Sequence, residues 1–162
     1  GLLGGTTIFL LYGRNAPDNK TYKQIALEKF TGDTSRLHFT GHIPYEHYLK
    51  VLQASSAHVY LTYPFVLSWS MLEAMSTGCL VLASNTPPVR ELIEDGRNGI
   101  LFDFFSPDEI AGKVMHALDN PAAYAELRQN ARKTILEKYD LKDLLPMQVK
   151  MMQDLAGGNG RK

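Results

Sequence analysis

The residues best suited to chemistry lie together at 63–75, where Tyr63-Pro64-Phe65-Val66-Leu67-Ser68-Trp69-Ser70 leads straight into Met71-Leu72-Glu73-Ala74-Met75. The second half reads as a helix and the first as the loop that enters it. A helix amino terminus carries unpaired N–H donors and about half a positive charge, which suits a diphosphate. Glu73, in the first turns, adds a carboxylate that can accept from two adjacent hydroxyls, such as those of a ribose. Spacing leaves a second reading open, because Ser70-Met71-Leu72-Glu73 also fits a capping box in which Glu73 folds back on its own helix end. Tyr63 and Trp69 can stack on a base or simply pack. Arg14, after Gly13, can meet a phosphate or stand exposed in a turn.

A scaffold must bring these residues to one edge, and the chain spells one out. Thr6–Tyr12 is a continuous apolar run rich in β-formers, the pattern of a strand buried on both faces. A helical pattern follows over about 20–30, closed by Gly32, then a strand at 36–40, a helix over 45–54 and a strand at 57–62. A helix over 68–77 stops at Gly78, CLVLAS (79–84) is a further buried strand, a short helix spans 87–93, and 99–102 is a last short strand. From Ser106 the pattern is helical only. Ser106-Pro107-Asp108-Glu109 is a capped start, Asn120-Pro121 opens a second helix, and a third covers about 141–155 before GGNGRK, read as a frayed tail. Alternating strands and helices predict an α/β fold, a Rossmann-like doubly wound parallel sheet with C-terminal helices. In such sheets a ligand binds at the carboxyl ends of the strands, which singles out the loops at 13–18, 41–44, 63–70 and 84–88.

Composition narrows the function. At 162 residues with 44% hydrophobic side chains the chain can bury the core of one domain. Seventeen basic residues offset seventeen acidic ones, so no long-range field favours nucleic acid or anionic lipid. The single cysteine, Cys79, has no internal partner and falls in an apolar run, as a buried thiol in a reducing compartment would. Nothing approaches the roughly 20 apolar residues of a membrane span, and no leader is evident at the start, which predicts a cytoplasmic location, with peripheral membrane docking through a partner domain left open. His47, His58 and His116 share no metal-site spacing with acidic residues, so no metal is expected. The first strand ends Tyr12-Gly13-Arg14, without the acidic cluster of a receiver domain or the three glycines of a dinucleotide fingerprint.

The stretch SMLEAMSTGCLVLASNTPPVRELIEDGRNGILF, with Phe39-Thr40-Gly41 before it, resembles the group 1 glycosyltransferases, the family-4 retaining enzymes, whose pattern runs LLEAMA-x-G-x-PVVAS, PE, G-x-N-G-x-L. The resemblance spans about residues 36–118 and keeps register at many separated positions. It implies the C-terminal half of a GT-B fold: a nucleotide-sugar-binding domain over 1–156 that begins at the domain's second strand, followed by a disordered tail at 157–162. Its partner would be an N-terminal acceptor-binding domain of the same protein. The substrate implied is a nucleoside diphosphate sugar, bound without a metal or other cofactor, and the reaction a sugar transfer that the fragment alone does not complete. Of the family's two donor-binding glutamates, the ribose-holding one matches Glu73. The sugar-contacting one falls at Phe65, and the family's Glu-Gly-Phe-Gly is here Phe65-Val66-Leu67-Ser68. That departure leaves a degenerate, non-catalytic nucleotide-binding or scaffolding module as the alternative. The same resemblance sets His42 and Ile43 against the base, beside the plainer reading of an exposed turn. It also sets the helix start at Ser68, Trp69 and Ser70 against the phosphates. Glu91 matches the PE glutamate, or serves a helix start through the dipole. No residue is assigned a catalytic role.

Overall fold

A computed structural model of the chain describes residues 7–9, 21–63 and 66–158. These group into two compact units, one up to Tyr48 and the other from Leu49 onward.

In the first unit, β1 (Thr7–Phe9) pairs in parallel with β2 (Leu37–Phe39), Thr7 opposite Leu37. Between them α1 (Tyr22–Lys29) starts at Thr21, whose hydroxyl caps the Gln24 amide while the Gln24 side chain returns to the Thr21 amide, a capping box. The helix ends on Phe30 in extended conformation, and Gly32 lies beyond it. Gly32 is thus not the helix stop expected; its α-carbon is crowded by the Phe30 ring, 2.7 Å from where a β-carbon would sit. Helix α2 (Tyr45–Ala54) leads on to the second unit.

The second unit holds a parallel sheet in the order β3-β4-β5, with β3 at His58–Tyr60, β4 at Val81–Ser84 and β5 at Ile100–Phe102. The central strand is fully buried along its length, which explains the unbroken apolar run in the sequence. Leu80 and Leu82 join Ile100, Phe102 and Ala117 in one cluster, on which Ile110, Val114, Tyr124 and Leu127 pack. The alternate residues Val81 and Ala83 face the other side and are equally buried.

Helix α3 (Trp69–Ser76) packs against β4 and is stopped by Gly78 at φ +78°, a left-handed conformation that side-chain-bearing residues resist. After β4 comes one short turn of helix, α4 (Pro87–Arg90), and after β5 come α5 (Pro107–Asp119), a 3₁₀ turn at Pro121–Tyr124, α6 (Ala125–Lys138) and α7 (Leu141–Gly158). Ser106 caps α5 through the Glu109 amide, as its sequence requires. Helix α6 packs on α3 and anchors it: Arg132 donates to the Ser76 carbonyl at the end of α3, and Arg128 donates to the Ser56 carbonyl at 2.7 Å. Helix α7 reaches Gly158, beyond the end read from the sequence, and residues 159–162 lie outside the described part.

The motif Gly96-Arg97-Asn98-Gly99 is explained by packing. Asn98, 3% exposed, donates to the Leu92 carbonyl at 3.0 Å and the Thr134 hydroxyl at 3.2 Å, and accepts from the Glu94 amide at 2.8 Å. At Gly99 a β-carbon would lie 2.9 Å from Ile93 Cγ2, so only glycine lets the strand enter here. Along β5, the Leu101 N–H is taken by Asp95 Oδ1 at 2.7 Å and the Leu101 carbonyl by Lys113 Nζ at 2.5 Å.

Candidate functional site

Because β3, β4 and β5 are parallel, the connections that leave Tyr60, Ser84 and Phe102 share one edge of the sheet. That edge is braced by side chains. Ser84 Oγ accepts from the Thr62 amide at 3.0 Å and donates to the Tyr60 carbonyl at 3.3 Å. Tyr60, 7% exposed, accepts at its phenol oxygen a hydrogen bond of 3.1 Å from the Ser68 amide. The start of α3 is therefore held by the last residue of β3 directly.

Ser68 caps α3, its hydroxyl accepting from the Ser70 amide at 3.3 Å and lying 3.0 Å from the Ser70 hydroxyl. This placement bears on the capping-box reading of Glu73. A capping box through Ser70 and Glu73 needs Ser70 as the cap; with the cap at Ser68, Glu73 is the fifth helical residue, one turn further in, and half-buried. Trp69 is 76% exposed in the first turn and Val66 67% exposed before it, while Leu67 and Ser70 are half-buried.

Tyr63 packs: its ring stacks on Phe104 at 5.4 Å and meets Phe105 edge-on at 4.7 Å, with the two phenylalanines 5.1 Å apart. The loop after β5 was not among those singled out from the sequence, and it is the one that brings these rings to the edge. Beside it a cleft of about 560 Å³ is lined by Asn85, Arg90, Asp95, Asp103, Glu109 and Lys113.

Other predicted positions separate. Val66, Leu67, Ser68, Trp69, Ser70 and Glu73 belong to one connection and helix of the second unit. His42, exposed, and Ile43, half-buried, follow β2 in the first unit, after a turn at Gly41 with φ +62°. Phe65, Gly13 and Arg14 lie outside the described residues. Glu91 is not at a helix start: it is the exposed C-cap of α4, where the helix dipole opposes a carboxylate. Tyr60 and Ser84, which shape the edge, carried no signal beyond their places at strand ends.

Titratable groups away from the edge are structural. Burial pushes the Cys79 thiol up to about 11, partly offset by Arg128, so it is not a nucleophile at neutral pH. Burial lowers the pKa of His58, whose Nε2 has no hydrogen-bond partner among the described residues. Among the described residues no three His, Cys, Asp or Glu side chains gather as a metal site would require, and no helix is long and apolar enough to cross a membrane.

The sequence profile of the family described as Glycosyl transferases group 1 matches residues 4–134. The chain belongs to the group 1 glycosyltransferases. An uncharacterized glycosyltransferase of Methanocaldococcus jannaschii is 29% identical over 133 residues, covering 80% of this chain and 34% of that protein. Among solved structures, sucrose-phosphate synthase from Thermosynechococcus elongatus superposes with a TM-score of 0.77 at 20% identity, covering 95% of this chain and 39% of that one. The Anabaena protein HepE, solved in complex with UDP-glucose, gives 0.76 at 19% identity, covering 92% of this chain and 41% of that one. These likenesses establish the fold, an α/β domain with a parallel sheet matching the C-terminal domains of GT-B glycosyltransferases. The chain spans about a third of the length of the M. jannaschii relative.

Proposed function

We propose that residues 1–156 act as the donor-binding domain of a retaining, cytoplasmic glycosyltransferase, holding a nucleoside diphosphate sugar while another domain of the same protein holds the acceptor. The observation that carries this reading is the start of α3 at the ligand edge of the sheet with Glu73 one turn inside it. Glu73 accepts from the ribose hydroxyls, and the amides near Ser68, Trp69 and Ser70 take up charge on the departing diphosphate. Gly13 and Arg14 contribute to the phosphates, and His42 and Ile43 lie against the base. No metal is needed, because helix dipole and basic side chains neutralise the diphosphate. The UDP-glucose complex of HepE supports this class of ligand. Without closure of an acceptor domain over the edge the domain binds but does not turn over.

Phe65 motivates a second reading, a degenerate module that binds a nucleotide without transfer, since the family's sugar-contacting acid is absent there. A gain of turnover on Phe65→Glu in the full-length enzyme supports that second reading.

Calorimetric titration with UDP, GDP and ADP tests the donor site. A hydrogen bond to a charged group is worth about 1.5–3 kcal/mol, so Glu73→Ala, at unchanged melting temperature, weakens binding about tenfold to a hundredfold. Equal affinity in wild type and Glu73→Ala removes the ribose role, and no binding of any nucleotide to folded protein removes the donor reading for this chain.

A further inference from the structure

We propose that the cleft beside β5, together with the Tyr63–Phe104–Phe105 cluster, is a carbohydrate-binding subsite that takes a neutral pyranose. The aromatic half of the argument is exposure. Phe105 is 66% exposed and Tyr63 57% exposed although each packs on its neighbours, so the cluster presents apolar ring area to water at the ligand edge of the sheet. Ring area left in water is unfavourable by roughly 25 cal/mol per Å², and three contiguous aromatic rings rimmed by polar groups gain by covering that area with a ligand.

The polar half is the cleft of about 560 Å³, whose lining includes Asn85, Arg90, Asp103 and Glu109 above the apolar Phe102 and Ile93. Its charged groups are engaged within the protein: Lys113 bonds Glu109 at 2.7 Å, Glu94 pairs with Arg97, Asp95 and Asp103 accept the Leu101 and Phe105 amides, and Arg90 donates to the side-chain amide oxygen of Asn85 at 3.3 Å. The cleft thus offers planar, two-pronged hydrogen-bonding groups, four carboxylates against two basic side chains, all of them already engaged, which favours hydroxyls over an anion. The two halves are joined covalently and by geometry, since Phe104 and Phe105 follow Asp103 and the Phe105 amide donates to Asp103 Oδ1 at 2.9 Å. A pyranose presents a C–H face beside a rim of hydroxyls, and this surface presents the complement. A purely apolar ligand leaves the cleft unused; an ionic one leaves the rings unused. As a place in sugar transfer the subsite takes the part of the acceptor that reaches this domain while the other domain holds the rest, and that role alone rests on the donor reading above.

Saturation-transfer NMR on the full chain, without nucleotide, tests it with maltotriose, triacetylchitotriose and the apolar control cyclohexanol. The expected result is saturable binding of at least one trisaccharide, not displaced by cyclohexanol. Phe105→Ala and Asp103→Ala each weaken it about tenfold, and Phe105→Trp preserves it. Both positions are exposed, so the variants stay folded at the temperature of the titration. Absence of saturable binding by both trisaccharides, displacement by cyclohexanol, or unchanged affinity in Phe105→Ala and Asp103→Ala overturns the proposal. Because no nucleotide is present, its failure leaves the donor reading standing, and a failure of UDP to bind leaves this subsite standing.

Discussion

The phenol of Tyr60 accepts the amide hydrogen of Ser68 at 3.1 Å, so a strand end and a helix cap eight residues apart are fastened by one half-buried bond. The bond fixes where α3 begins, and with it where any group on its first turns points. Tyr60→Phe keeps the ring and deletes the acceptor, leaving the Ser68 amide without this partner in a half-buried place. The expected loss is about 1–2 kcal/mol of stability, read from urea unfolding. If Tyr60 also positions the helix start, UDP affinity falls in the same variant while folded; a stability loss with unchanged affinity limits it to structure.

Asn98 has the opposite profile. Its amide side chain ties the turn at Leu92 and Glu94 to Thr134 of α6, from a position 3% exposed. Asn98→Ala strands those partners and opens a small gap, for about 2–4 kcal/mol of destabilisation. Nucleotide affinity of the surviving folded fraction stays as in wild type, because none of these bonds touches the start of α3. A thermal melt paired with the titration checks both halves.

His58 predicts a dependence on pH. Its folded pKa is held below the ordinary 6.5 by burial, so as pH falls through about 6.5 the unfolded chain takes up a proton before the folded one does. This contribution is whole above pH 6.5 and is lost below it, at up to about 1.4 kcal/mol per pH unit, until the folded imidazole also titrates. His58→Leu removes the proton uptake, so the difference in unfolding free energy between variant and wild type shifts toward the variant between pH 7 and pH 5. A constant difference across that range is incompatible with a buried neutral imidazole.

The sequence carried local information well. The Ser106-Pro107 start, the Gly78 stop and the unbroken apolar run of β4 are each decided within a few residues, by capping, by backbone conformation and by burial on both faces. The cap of α3 was not decided locally, because Ser68 and Ser70 are both competent caps; the choice falls to Ser68, whose amide Tyr60 also holds, a bond formed only once β3 and α3 have met. Glu91 shows the same limit, since α4 closes after one turn and leaves it at the wrong end for the dipole. The aromatic cluster was illegible for a related reason: Tyr63 and Phe104 are 41 positions apart by their numbers, in loops without periodicity, and they meet across the end of β4 only because parallel pairing brings the ends of β3 and β5 to one edge.

The side chains on Leu101 have one more effect. In the described sheet β5 is a border strand, and a bare border is a template on which another extended chain can hydrogen-bond. Here the rung at Leu101 is already occupied on both its donor and its acceptor by a carboxylate and an ammonium from the same molecule. An incoming strand would have to evict two charged groups before making its first bond, so this flank resists side-by-side polymerisation at the concentrations a binding experiment demands.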